Sequence, residues 1–260
     1  MKKLTNWTDK EIEAFILKVY GGEVSREKLP RDLYNEILRR LTDAVISGFG
    51  DGLKIDGGAS LLKDFNDNLA VFSAAKTYQQ VNDMANFIFD DNGNKTAFSV
   101  FKKHADEIFE TYNENWLKTE LNTAASLASS AKYWLEIWRD KDIFPYLKYV
   151  TIGDERVRHD HELLDGIIRK VTDSFWDEYF PPNDWNCRCI VEQLEDAIET
   201  DISGMNIPKN PPLFAMNPAK SRFIFDETKH PYLFTRVDER FKTGSKASKP
   251  ILKPIKKQLK

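Results

Sequence analysis

The sequence predicts an α+β protein: a helical N-terminal region, residues 1–140, followed by a small loop-rich α+β module, residues 141–240. Two observations carry that reading. Before residue 140 apolar side chains recur at intervals of three and four, the helical period. After it, Asp140-Lys-Asp-Ile-Phe-Pro145 breaks the pattern, and short aromatic and β-branched runs alternate with turn residues.

The elements follow in order. Thr8 and Glu11 have the spacing of a capping box, so a helix is expected from Thr8 to Tyr20, ended by Gly21-Gly22. Pro30 suits a first helical position, and Tyr34, Ile37, Leu41 and Val45 lie on one face behind it. The glycine-rich stretch from Gly48 to Gly58 lacks the Gly-Lys-Ser/Thr of a phosphate loop and reads as a connector between helices. Leu61 to Phe89 is a long helix with a Leu61, Phe65, Leu69, Phe72 stripe, stopped by the turn Asp90-Asp-Asn-Gly93. Phe98, Phe101, Ala105, Ile108, Tyr112 and Trp116 form a further stripe, and Leu121, Ala124, Ala128, Ala131, Leu135 and Trp138 another. Such aromatic-rich stripes are packing faces of amphipathic helices. The small-residue run Ala124–Ala131 permits close helix approach. Strands are expected at Tyr146–Ile152, Arg188–Leu194, Phe223–Phe225 and Tyr232–Val237, with a short helix capped by Asp173 or Ser174 and stopped by Pro181-Pro182.

Composition narrows the function classes. The chain has 260 residues, 41% hydrophobic and 30% charged, enough apolar material for a core. A net charge of −3 gives no global pull toward nucleic acid or membrane. No apolar run reaches the length of a membrane span, and no apolar segment follows Met1-Lys-Lys as a secretory signal would require. The two cysteines stand two positions apart, which argues against a disulfide framework and fits synthesis in a reducing cell interior. The last twenty residues, 241–260, hold seven lysines and no acid, and read as a basic, disordered tail. Either it is simply solvated, or it contacts the phosphates of double-stranded DNA.

Chemistry concentrates between Tyr149 and Val191. Cys187 and Cys189, if extended, present both thiols on one face and could hold a soft metal such as zinc. His161 is the best third ligand, with His159 or Asp154 as a fourth; the competing reading is two buried thiols acting as small hydrophobes. An extended Asp154–Asp160 would place Asp154, Arg156, Arg158 and Asp160 on one face, an alternation that points to internal ion pairs rather than a catalytic set. Arginine and histidine would then pin loops to carbonyls and carboxylates, with Trp176, Pro181, Pro182 and Trp185 as an apolar floor and Asn186 in a turn. A general base with a cationic clamp, His161 with Arg156 or Arg158, is the alternative: a metal-dependent hydrolase or nuclease.

Taken in order, Asp154, Arg156, Val157, Arg158, His161, Leu164 and Gly166, then Phe175, Trp176, Pro181, Pro182, Trp185, Asn186, Cys187, Arg188 and Cys189, resemble the phage Mu protein F-like minor head protein family, also called phage head morphogenesis proteins. Phe214-Ala-Met-Asn-Pro218 is similar to an element that follows in that family. The resemblance implies a minor capsid component made in the host cytoplasm, placed in the virion at the head interior or portal, and acting in head assembly or genome delivery. It implies the portal and other head proteins as partners and no general enzymatic activity.

Overall fold

A computed structural model describes residues 6–25 and 28–233. The expected basic tail and the end of the Tyr232–Val237 strand lie outside these residues; Tyr232 itself falls in a 3₁₀ turn, Pro231–Leu233. The α+β class is borne out: long helices fill the first part of the chain and a three-stranded sheet follows.

Helix α1 is Asp9–Tyr20 and starts at the expected capping box, with Thr8 N–H donating to Glu11 (2.7 Å) and Glu11 N–H to the Thr8 hydroxyl (3.3 Å). Helix α2 is Arg31–Phe49, just behind Pro30, whose carbonyl accepts from Tyr34 N–H. A 3₁₀ turn, Gly50–Lys54, occupies the glycine-rich connector before α3, Gly58–Ala85. The Asp90–Gly93 turn is present, with Gly93 at φ +80° and a bridge between Phe89 and Lys95. The next two stripes belong to one unbroken helical run. It comprises α4 (Phe98–Glu110), a π-helical segment (Thr111–Trp116) and α5 (Leu117–Asp140). A π turn carries an extra residue and so rotates the face that follows it. That is why the stripe through Trp116 and the one from Leu121 do not share a single register.

By proximity in space the described residues divide into two units, each drawn from separate stretches: those within 6–42, 68–120 and 227–233 in one, 43–67 and 121–226 in the other. In the first unit, Trp7 stacks on Phe109 and meets Phe15 edge-on, and Tyr20 packs on Phe98 and Phe101. Its centre also holds a polar group that periodicity did not reveal. The Lys76 ammonium lies 2.9 Å from the Glu120 carboxylate, and the Tyr232 hydroxyl donates to the same carboxylate at 2.7 Å. The rings of Tyr112 and Tyr232 flank the ammonium at 5.3 and 5.2 Å.

The second unit contains the sheet. Strand β1 (Tyr146–Val150) is central, between β2 (Ile168–Lys170) and β3 (Ile190–Leu194), antiparallel to both. Leu147 and Tyr149 alternate into the core, as period two requires. Strand β2 was not anticipated; it is three residues long, too short for an alternation to register. The expected strand at Phe223–Phe225 is absent. Arg222 adopts a left-handed conformation (φ +62°) after the short helix Pro218–Ser221, and the chain then bends, so that Ile224 and Phe225 are buried outside any strand. Close helix approach is realised at Gly48, where a Cβ would collide with the carbonyl of Ala125.

Candidate functional site

The site is assembled from two loops that flank the central strand β1. After β1 the chain turns at Gly153 (φ +70°), and Asp154 forms a local turn, its carboxylate accepting from Arg156 N–H (3.1 Å) and its carbonyl from Val157 N–H (3.0 Å). One helical turn follows, α6 (His159–Glu162), which buries His161. Asp165 then accepts from both the N–H and the hydroxyl of Thr151, and Gly166, at φ +78°, donates its N–H to Tyr149 O (2.9 Å) to lead the chain into β2. A glycine is needed there because a Cβ disfavours that conformation.

The second loop descends from α7 (Phe175–Glu178). Ser174 holds the N-cap position without a side-chain bond, and Asp173, one residue earlier, accepts from Phe175 N–H at 2.7 Å in its place. Trp176 is fully buried and donates its indole N–H to Lys170 O (3.0 Å). Pro181, Pro182 and Asn183 are buried behind it, and Trp185 meets Phe214 edge-on at 5.2 Å. Asn217 ties in the third motif element: its amide donates to Trp176 O, while its side-chain oxygen caps α8 (Pro218–Ser221).

The expected extended face of Asp154, Arg156, Arg158 and Asp160 does not form, because Asp154 opens a turn and Asp160 lies in α6. The arginines instead reach across to the other loop. Arg188 grips Asp154 with two hydrogen bonds of 2.7 and 2.8 Å. Arg158 donates to Trp185 O (2.7 Å) and pairs with Asp184 (3.1 Å). The Arg188 guanidinium holds the Asp154 carboxyl down at about 2. Asn186 sits in the turn as expected, in a left-handed conformation (φ +56°) that asparagine tolerates.

Between the loops, the sulfurs of Cys187 and Cys189 each lie 3.6 Å from His161 Nδ1. Cys187 lies in a turn rather than an extended strand, yet both thiols still point at the same ring nitrogen. Neither fourth ligand suggested by the sequence joins them. His159 is exposed beside Glu162, and Asp154 is held by Arg188. The Cys187 sulfur accepts from the Cys189 thiol and lies against His161, which lowers its pKa; the same pairing, with burial, raises that of Cys189. Tyr149, missed by sequence reasoning, is buried beside them and donates to Asn183 Oδ1 (2.9 Å). Burial, and then the nearby sulfurs, push its pKa far up, so it remains a donor. Arg156, Arg158 and Arg188 line a cleft of about 20 Å³ against His161 and the cysteines. The site is thus a set of cross-links between two loops, with a small pocket at the sulfur–imidazole cluster.

A family model described as Phage Mu protein F like protein matches residues 73–192, from within α3 through most of β3. The chain is 39% identical over 107 residues to the Mu-like prophage FluMu F protein of Haemophilus influenzae, covering 41% of this chain and 23% of that protein. It is 36% identical over 81 residues to the Putative capsid assembly protein F of Escherichia phage Mu, covering 31% of this chain and 18% of that protein. The resemblance read from the motifs is therefore borne out, while the chain spans about a fifth of the length of these curated relatives. No solved structure matches this chain.

Proposed function

We propose that this chain is a structural component of a phage or prophage head, acting in head assembly through protein–protein contacts. The carrying observation is the match to the Mu protein F-like family over residues 73–192, which ends within the cross-linked module. The geometry supports a binding module over a hydrolase. Arg188 and Arg158 are spent on Asp154, Asp184 and a backbone carbonyl, and His161 faces two sulfurs rather than open solvent. Apolar side chains also remain exposed at the end of α5 and in the turn behind it: Trp138, Ile143 and Phe144. Exposed apolar surface of this kind is what partner proteins cover. Among the described residues no helix is long and apolar enough to cross a membrane.

In the finer reading the partners are the portal and other head proteins, the location is the head interior or portal region, and the protein takes part in genome delivery. The lysines of residues 241–260 would add contacts to packaged double-stranded DNA. Quantitative mass spectrometry of density-purified heads, empty against DNA-filled, tests this. A few copies per head are expected, and their loss from emptied particles marks exit with the genome. Abundant particles without the protein would refute the head assignment.

A further inference from the structure

We infer that His161, Cys187 and Cys189 form a binding site for a zinc-class metal ion, which clips helix α6 to the segment entering β3.

The distances match. With Zn–S near 2.3 Å and Zn–N near 2.0–2.1 Å, a tetrahedral ion sets its sulfur and nitrogen ligands about 3.6 Å apart. Both sulfurs lie 3.6 Å from His161 Nδ1, and all three atoms fall within 4.8 Å of one another. A ring nitrogen has one lone pair or one N–H, so Nδ1 can serve one thiol directly and the other only through the neighbouring sulfur. A metal would bind all three atoms at once.

The charges also balance. Binding a divalent ion sends any remaining thiol proton to solvent, and two thiolates with a neutral imidazole then make a neutral complex. That suits a site where His161 is buried. Of the three arginines that line the cleft, Arg188 is matched by Asp154 and Arg158 by Asp184, so two of the three do not oppose a cation. Two sulfurs and a nitrogen select a soft or borderline ion over magnesium or calcium. The fourth corner falls to the adjacent cleft, whose volume of about 20 Å³ is that of a single water. The ligands come from segments 26 and 28 residues apart, so the ion would close a loop that the ion pairs alone hold from its rim.

The inference stands independently of any role in head assembly, and its test uses the purified full chain. Cobalt(II) titrated into reduced protein should give thiolate-to-metal charge-transfer absorption and the intense visible bands of a four-coordinate ion, saturating at about one equivalent. Zinc should displace the cobalt and erase both. In the wild-type chain, zinc should slow maleimide labelling of both cysteines at least tenfold, and a chelator should restore it. The Cys187→Ser/Cys189→Ser variant should lose the charge-transfer band. Two outcomes overturn the site: a wild-type chain that shows no cobalt band and labels at the same rate with and without zinc, or a serine variant that keeps the band unchanged. The labelling arm needs no variant, so a substitution that prevents folding leaves the test intact.

Discussion

Arg188 holds Asp154 across 34 residues with two parallel hydrogen bonds of 2.7 and 2.8 Å, joining the turn after β1 to the segment before β3. The guanidinium sets the sign of a pH effect. It keeps the Asp154 carboxyl ionised down to about 2, below the value near 4 that it has in an unfolded chain. A depressed folded-state pKa stabilises fully above the unfolded value and loses its effect as pH falls toward the folded one. Asp154→Asn should therefore melt below wild type at pH 6, with the gap closing between about pH 4 and pH 2. Added salt should narrow the gap, since the pair is partly exposed. Paired melts across that range check it; a gap independent of pH would show that the carboxylate charge contributes nothing.

Lys76 and Glu120 present the opposite environment, an ion pair with both side chains almost wholly buried. Burial lowers the Lys76 pKa, and Glu120 works against that shift. Removing one partner strands the other, at a typical cost of about 3–5 kcal/mol. Glu120→Gln should show such a loss in urea unfolding. Lys76→Met/Glu120→Gln removes both charges while leaving an oxygen to accept from the Tyr232 hydroxyl, and should recover much of it. Losses that simply add in the double-mutant cycle would contradict the coupling.

Elements with a strong local code were legible in the sequence. The Thr8–Glu11 capping box, the Asp90–Gly93 turn and the start of the strand at Tyr146 appear where residue type and spacing placed them, though the strand ends at Val150 rather than Ile152. Groups that meet only after folding were not. Lys76 reads as an ordinary polar residue in α3, and nothing local marks that Glu120 and Tyr232 close over it. The same holds within the site. His161 and the two cysteines were singled out by type, but the partner of Asp154 was sought at Arg156 and Arg158, its sequence neighbours, because the turn that Asp154 itself makes was not foreseen. Asn217 carried a usable signal, an asparagine immediately before a proline, which marks a helix start.

Gly48 has no room for a side chain, since a Cβ would meet the backbone carbonyl of Ala125. Two terms of opposite sign decide the effect of Gly48→Ala. Helix propensity favours alanine by about 1 kcal/mol. Overpacking a close contact costs about 1–3 kcal/mol, and a backbone carbonyl cannot move aside as a side chain can. A net loss is expected, larger for Gly48→Val, with thermal unfolding as the measure. A stabilised Gly48→Ala would mean that α2 and α5 do not approach so closely.

Asn217 makes three bonds from a buried position: its amide donates to Trp176 O, and its side-chain oxygen accepts from Ala219 and Lys220 N–H. Asn217→Ala removes a helix cap, worth about 0.5–2 kcal/mol, and leaves the Trp176 carbonyl without that donor, worth about 1–3 kcal/mol. Asn217→Asp separates the two contributions. Once ionised it keeps the acceptor that caps α8 but offers no donor to Trp176 O, and adds a negative charge beside that carbonyl. The order of stability expected in chemical unfolding is wild type above both variants, with Asn217→Asp losing stability as pH rises through its carboxyl titration. A burial-driven rise in that pKa would make the loss appear at higher pH than an exposed aspartate would show. If Asn217→Asp instead matched wild type at a pH above its carboxyl titration, the amide bond to Trp176 O would carry no weight, and the capping oxygen alone would explain the residue.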